Sequence, residues 1–292
     1  MGCVILLKLA YKNLTYVLCQ NNEINNYFKQ YYQNGMFNAY DRILVTDLQL
    51  NKETLDMINR DSMLKRKFIL FDHNESVTHF NSYDFVNIII KDKNGDCCST
   101  SLLYDHLLSL SLINRTNALD VFCEATRISD TGAWQLQKGN QIPRDLALLF
   151  DAIGTERYIK TIYDKLKEEN YFMFNYDEEK IIKLKKETTD EKVSSFIKNI
   201  HFKYIDGYKA GIIFISYEYR NEIAQYLRVT NMYKIDLVIL VAVDKNSISI
   251  RNINPRVNVR PIAEKMGGKG HFGAAGCNID INNFTKVLKV LL

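Results

Sequence analysis

Short apolar runs alternate with amphipathic segments through the first half of the chain, and this alternation restricts the fold more than any other feature. The apolar runs at 42–46, 67–71 and 85–90 are typical of buried strands, and the segments at 23–33 and 51–62 have helical spacing. A strand–helix–strand order favours parallel strands, because the helix returns the chain to the same end of the sheet. We therefore predict an α/β domain with a mostly parallel sheet.

Further elements complete this prediction. We expect a helix at 2–12, a strand at 14–18, a helix-dominated region at 113–170, and a helix capped by Ser99 or Thr100. Dense charges at 175–199 are typical of a long solvated helix. The remainder predicts a smaller α/β domain, with strands at 211–215, 237–243 and 247–251 and helices at 218–228 and 282–291.

Composition limits the class of protein. The chain has 292 residues, of which 47% are hydrophobic and 25% charged, as in globular proteins with a sizeable core. The net charge of +4 suits anionic substrates without indicating a long nucleic-acid duplex. The six cysteines lack zinc-site spacing and are expected to be reduced thiols of a cytoplasmic protein. Because no apolar run approaches the roughly 20 residues of a membrane span, no membrane association is expected.

Acidic residues follow two of the predicted strands. Asp47 ends the first, and Asp72, His73 and Asn74 end the second. The carboxyl ends of parallel strands meet at one edge of the sheet, where α/β folds place their binding and catalytic sites. A third acid, Asp130, follows a helix-like segment. Carboxylates with imidazole suit manganese, zinc or iron better than calcium. Each residue also has a structural alternative: a helix cap for Asp47, a core histidine for His73 and a turn for Asp130.

A glycine-rich segment lies near the C-terminus. Gly267, Gly268, Gly270 and His271 precede two alanines and a further glycine, and a strand-like run follows. Since glycine has no Cβ, consecutive N–H groups can turn toward one anion, and a histidine adds a directional donor. The segment favours a phosphate or nucleotide cradle, with a tight turn and a surface histidine as the alternative.

Together these residues resemble the DHH phosphoesterase superfamily, in the branch with a DHH-associated C-terminal domain. That branch includes nanoRNases, cyclic-dinucleotide phosphodiesterases and RecJ-like exonucleases. The matching positions are Asp47, Asp72-His73-Asn74 for Asp-His-His, Asp130-Thr131-Gly132 for Asp-Thr-Gly, Arg251, and Gly267–Gly276 for the Gly-Gly-Gly-His…Ala-Ala-Gly signature. The resemblance implies a DHH domain at 1–170, a connecting helix at 171–200 and a substrate-binding domain at 201–292.

The chain departs from the family pattern at three points. The opening His-x-Asp-x-Asp-Gly motif, which carries three metal ligands, is absent, Asn74 replaces the second histidine, and Lys269 replaces a signature glycine. Asparagine can form hydrogen bonds but does not ligate as imidazole does. Two expectations follow from the absent motif: either residues that precede the first helix are missing, or the chain is an impaired homologue.

The resemblance implies a metal-dependent phosphodiesterase that acts on short oligonucleotides or dinucleotides. Asp47, His73 and Asp130 are expected to hold manganese, as one ion or two, with Mg²⁺ as the alternative. Asp72, His73 and Asn74 are the expected catalytic residues, and Asp72 orients His73. The expected phosphate-binding residues are Arg251, Gly267, Gly268, Gly270 and His271.

Several alternatives stay open. The substrates include short RNA or DNA and linear or cyclic dinucleotides, and a single-strand exonuclease also fits. A protein that binds nucleotides without hydrolysing them is the rival function, and a homodimer is compatible with the sequence. An inorganic pyrophosphatase is disfavoured, because the second domain of those enzymes is rich in lysine and arginine and has no glycine cradle.

Overall fold

The computed structural model describes residues 1–93, 95–131 and 140–291. Contacts divide the chain into two compact units, residues 1–182 and 183–292. The division falls within a long helix at Tyr176–Ile197. The domain bounds inferred from the sequence stay a prediction. Among the described residues, no helix combines the length and the apolar character that crossing a bilayer requires.

The first unit contains helices and short strands in alternation. Its helices are α1 (Gly2–Ala10), α2 (Ile24–Gln33), α3 (Lys52–Arg60), α4 (Ser62–Lys67), α5 (Ser99–Ser109), α6 (Asn117–Thr131), α7 (Ile142–Ile153), α8 (Thr155–Glu168) and the start of α9 (Tyr176–Ile197). Its strands are β1 (Ile43–Thr46), β2 (Phe68–Asp72), β3 (Val86–Ile88), β4 (Lys91–Asp92) and β5 (Gly95–Asp96).

The sheet of the first unit is parallel, as predicted. Within the described ranges its order is β1-β2-β3, and both pairings are parallel. Thr46 lies opposite Phe71 in the register, so β1 and β2 end side by side. Ile5 and Leu6 of α1 are fully buried and join the core formed with α5 and α8. This packing fixes the sheet edge at which Asp47 and Asp72 leave their strands.

The segment at 14–18 is not a strand, contrary to the prediction. It lies outside regular structure, with Val17 and Leu18 exposed by 47% and 46%. A run of apolar residues becomes a strand only when a neighbouring strand satisfies its backbone groups, and no described strand pairs with this run. The third predicted strand, at 85–90, is shortened to Val86–Ile88.

The second unit is built around a mixed sheet. Its strands are β6 (His201–Ile205), β7 (Tyr208–Ile215), β8 (Leu237–Ala242), β9 (Ser247–Asn252), β10 (Lys269–Gly270) and β11 (Ala274–Asn278). Its helices, after α9, are α10 (Arg220–Thr230), α11 (Arg260–Lys265) and α12 (Phe284–Leu291). The described strands follow the order β10-β11-β9-β8-β7-β6, and β7 is parallel to β8. All of β8 is buried because helices cover both faces of the sheet.

Candidate active site

Asp47 leaves β1 in a left-handed backbone conformation. Its φ is 60°, which is uncommon for a residue other than glycine but tolerated by aspartate. Its N–H group donates to the carbonyl of Phe71, with N and O 3.0 Å apart, so the turn is anchored to the neighbouring strand. The carboxylate is 58% exposed. The backbone therefore holds an accessible carboxylate at the end of β1, beside the end of β2.

Asp72 is a buried carboxylate with one unpaired oxygen. Its side chain is 4% exposed, and Oδ1 accepts the N–H of His73 with O and N 2.7 Å apart. Oδ2 has no hydrogen-bond partner. Burial raises the pKa of Asp72, and the His73 N–H and imidazole partly oppose that shift. Such an oxygen is costly to bury without a partner, and a cation would satisfy it.

His73 lies between acidic groups. Its Nδ1 is 3.7 Å from Asp47 Oδ1, and its Nε2 is 3.3 Å from Asp130 Oδ2. The sequence predicted that Asp130 follows a helix. In the structure Asp130 instead lies within the last turn of α6. Burial and then the charge of Asp47 raise the pKa of Asp130, while His73 lowers it. Thus the structure brings together Asp47, Asp72, His73 and Asp130, which are far apart in sequence.

The cluster fits a divalent cation. One ligand atom from each of Asp47, Asp72 and His73 lies within 4.8 Å of the others, and Asp130 contacts the second nitrogen of the imidazole. The geometry therefore adds Asp72 to the expected ligands, whereas the sequence predicted it as a catalytic residue that orients His73 and not as a ligand. Two carboxylates and an imidazole are a donor set that manganese accepts. The unpaired Oδ2 of Asp72 supports this assignment independently.

Ser99 is a site residue that the sequence analysis missed. It is 2% exposed, and its Oγ lies 3.5 Å from Asp47 Oδ1 and 3.4 Å from His73 Nδ1. Ser99 or Thr100 was expected from the sequence to cap α5. Instead Cys98 is the N-cap, and its Sγ accepts the N–H of Ser101 with S and N 3.4 Å apart. Cysteine is a rare cap, so the sequence offered no signal that would have freed Ser99 for the site.

Asn74 has a structural contact of its own. Its Oδ1 accepts from the N–H and the hydroxyl of Ser76, at 3.0 and 2.8 Å, and so begins the 3-10 helix Glu75–Ser82. The amide oxygen is therefore engaged away from the carboxylates of the cluster. A catalytic role for Asn74 stays a prediction.

Arg251 occupies the second unit, beside the glycine-rich hairpin. It lies in β9 opposite Ala274, the first residue of β11. Its Nη1 donates to the carbonyl of Ile250 at 3.2 Å, and its Nη2 lies 3.4 Å from Asn221 Oδ1. Burial lowers the pKa of Arg251, and the charge of Arg220 adds to that shift. His271 is exposed in the turn between β10 and β11.

The glycines of this hairpin permit close backbone packing. A Cβ on Gly268 would overlap the carbonyl oxygen of Gly276, and a Cβ on Gly270 would overlap Ala275. The N–H groups of Gly267 and Gly268 donate to carbonyls of α11, at 2.9 and 2.8 Å. These two amides, which the sequence analysis expected to bind phosphate, are therefore already satisfied within the fold. Phosphate binding by the glycines stays a prediction, and their observed role is to bring β10, β11 and β9 together.

Comparison with known proteins gives consistent relatives. Residues 198–292 match the model of the DHHA1 domain. The chain is 27% identical over 285 residues to oligoribonuclease NrnB of Bacillus subtilis (strain 168), an alignment that covers 95% of this chain and 70% of that protein.

Two solved structures share the fold. The pGpG-specific phosphodiesterase PggH of Vibrio cholerae superposes with a TM-score of 0.54 at 15% identity, over 99% of this chain and 93% of that chain. RecJ of Thermus thermophilus, solved in complex with Mn²⁺, gives 0.51 at 14% identity, over 99% of this chain and 49% of that chain. The matched C-terminal domain, the NrnB relative and the shared fold agree with the motifs in the sequence: residues 198–292 match the DHHA1 domain, and the chain as a whole is similar to phosphoesterases of the DHH family.

Proposed function

We propose that this protein is a metal-dependent phosphodiesterase that hydrolyses short oligonucleotides or dinucleotides. The observation that carries the proposal is the buried, unpaired Oδ2 of Asp72 beside Asp47 and His73. The relatives support the substrate class, since one is named an oligoribonuclease and another a pGpG-specific phosphodiesterase.

We propose manganese as the metal, held by Asp47, Asp72 and His73, with Asp130 at the second nitrogen of the imidazole. The donor set favours it, and the RecJ structure was solved in complex with Mn²⁺. When bound, the ion supplies a Lewis acid that neutralises charge on the phosphoryl group. Magnesium and a second ion remain alternatives that a metal titration distinguishes.

The side chains of the cluster have separate tasks in this proposal. His73 ligates through one nitrogen, and a carboxylate at the other nitrogen fixes the orientation of the ring. Ser99 lies within reach of Asp47 and His73 and restricts their rotation. In the second unit, Arg251 and His271 are proposed to bind a substrate phosphate, because a guanidinium group can form two parallel hydrogen bonds to phosphate oxygens.

The six cysteines bear on the cellular compartment. All are free thiols, and Cys3, Cys97, Cys98 and Cys123 are buried. Burial raises the pKa of these four thiols, so they are poorly reactive. Free thiols are the rule in reducing compartments, and we propose a cytoplasmic location on that basis.

The test is hydrolysis of a short RNA by the full chain in Mn²⁺, followed by chromatography of the products. We expect EDTA to abolish the reaction and His73→Ala to slow it by at least about 100-fold, because a metal ligand is lost. His201→Ala, which removes an exposed histidine of β6, should leave the rate unchanged.

Two results would contradict the proposal. Equal rates for the wild type, the His73 variant and the EDTA-treated protein would exclude this cluster as the catalytic site. Tight binding of a dinucleotide that remains intact after long incubation with Mn²⁺ would favour the rival function, a protein that binds nucleotides without hydrolysing them.

A further inference from the structure

Three arginines gather in the second unit close to the glycine-rich hairpin. Arg220 is the first residue of α10, Arg228 lies in its last turn, and Arg251 lies in β9. None of the ion pairs among the described residues involves any of the three. Burial lowers the pKa of Arg228 and Arg251, and both neighbouring arginines contribute to the shift at Arg251. Positive groups crowded together without ion pairs form an environment that favours an anion.

Arg220 is held in place by an aromatic ring. Its guanidinium carbon lies 3.9 Å from the centroid of the Tyr217 ring, and its Nη1 donates to the Tyr217 carbonyl at 3.0 Å. Tyr217 is fixed in turn, because its N–H donates to the carboxylate of Asp244 at 3.1 Å. A cation over an aromatic face is stabilised and loses little further freedom when a ligand arrives.

The three arginines do not have the same role. Arg228 donates through Nη2 to the carbonyl and Oδ1 of Asn252, at 2.6 and 3.2 Å, and so supports the end of β9. Arg251 reaches Asn221 Oδ1, and Asn221 adjoins Arg220 in the chain. A guanidinium group has five N–H donors, and the contacts of Arg220 and Arg251 among the described residues use few of them. Arg220 and Arg251 therefore retain donors for a ligand.

We propose that Arg220 is a second phosphate-binding residue beside Arg251, and that the two guanidinium groups recognise a terminal phosphate monoester. The inference rests on the proposed function, for which Arg251 is already assigned to a substrate phosphate. A monoester has a charge of about −1.5 to −2 at neutral pH, whereas each internal diester carries a single negative charge. Two cations therefore favour the end of a phosphorylated oligonucleotide over its interior.

The test is binding to the full chain in EDTA, measured by isothermal titration calorimetry. The probes are the dinucleotides pApA, ApAp and ApA, which differ only in a terminal phosphate. We expect the wild type to bind one phosphorylated probe at least tenfold more tightly than ApA. Arg220→Gln should weaken that probe about tenfold and change ApA less than twofold, because only the monoester engages both guanidinium groups.

Three further variants sharpen the result. Arg220→Lys retains the charge and should restore part of the lost affinity. Tyr217→Leu removes the ring under the guanidinium group and should cost about threefold. Arg256→Gln removes the same charge from an exposed position of the second unit and should behave as the wild type. Thermal melting confirms that each variant is folded.

The outcomes separate this inference from the proposed function. Equal affinity for the three probes, no measurable binding of any probe, or an equal loss for all three in Arg220→Gln would overturn the inference. A loss in Arg256→Gln that matches Arg220→Gln would overturn it too. Because no step requires hydrolysis, an inactive protein that still discriminates the terminal phosphate would leave the inference standing and contradict only the catalytic proposal.

Discussion

Replacing Asp72 by asparagine should stabilise the metal-free protein. An unpaired buried polar group costs roughly 1–3 kcal/mol, and the buried Oδ2 of Asp72 has no partner. In Asp72→Asn the amide oxygen still accepts the His73 N–H, although about 1 kcal/mol is lost because the bond is no longer charge-assisted. The substitution replaces a buried charged oxygen by a neutral NH₂ group, and a neutral polar group costs less to bury than a charged one. We expect a net gain of about 1 kcal/mol in the free energy of unfolding, or roughly 2–4 °C in melting temperature for a unit of this size.

The stability difference between Asp72→Asn and the wild type should depend on pH, in a direction set by the pKa of Asp72. Because burial raises the pKa of Asp72, the folded protein binds this proton more tightly than the unfolded chain does, whose pKa is about 3.9. Asp72 therefore lowers the stability of the wild type as the pH rises from about 4 through the folded-state pKa. The advantage of Asp72→Asn should be absent below about pH 4 and should grow as the pH rises through the folded-state pKa of Asp72.

Thermal unfolding followed by circular dichroism, with EDTA or Mn²⁺ present, measures both effects. Adding Mn²⁺ at 100 times its dissociation constant should stabilise the wild type by about 2.7 kcal/mol, and the variant, which lacks a charged ligand, by much less. Asp41→Asn, at an exposed position, is the matched control. The reasoning is refuted if Asp72→Asn destabilises the metal-free protein by more than about 1 kcal/mol, or stabilises it equally at pH 3.5 and pH 8.

Two further predictions concern stability and are measured by urea unfolding. Gly268→Ala should cost roughly 1–3 kcal/mol, because the added Cβ meets a backbone carbonyl that cannot move freely, and an unchanged midpoint would count against this packing role. Lys165→Met should cost roughly 3–5 kcal/mol, because it removes the cation that pairs with the buried carboxylate of Glu178. That carboxylate is 8% exposed and lies 3.1 Å from Lys165 Nζ. Adding Glu178→Gln should recover part of the lost stability. A cost below about 1 kcal/mol for Lys165→Met alone would contradict a stabilising role of this buried ion pair.

The sequence predicted the parallel sheet and the meeting of acids at its edge for a physical reason. Period and length identify short buried strands, and parallel strands must end at a common edge, so Asp47 and Asp72 could be placed near each other without coordinates. Asp130 was different, since it comes from the end of α6, and only the family resemblance brought it to the site. Ser99 could not be predicted, because its position depends on Cys98 capping α5.

The glycine-rich segment shows why local patterns leave roles undecided. A cradle for phosphate and a close approach of strands both require residues without a Cβ, so both produce the same glycine-rich sequence pattern. The two roles differ in the direction of the N–H groups. The amides of Gly267 and Gly268 donate to carbonyls of α11, the helix that directly precedes them in the chain. The prediction of a strand at 14–18 was wrong for a related reason, because a strand forms only when another strand elsewhere in the chain pairs with it.

The charge of the first-unit cluster bears on the choice between a hydrolase and a protein that only binds nucleotides. Asp47, Asp72 and Asp130 surround a single imidazole, so without a cation the cluster repels a phosphate. Affinity for a phosphorylated dinucleotide in EDTA must then come from the arginines of the second unit, and Asp72→Asn should leave it unchanged or raise it slightly. In Mn²⁺ the first unit becomes attractive, and the same variant should weaken binding. A protein that binds nucleotides without using a metal would show no such reversal, so the sign of the effect of Asp72→Asn in the two conditions tests whether a metal at this cluster contributes to nucleotide binding, and chromatography of the products then tests hydrolysis.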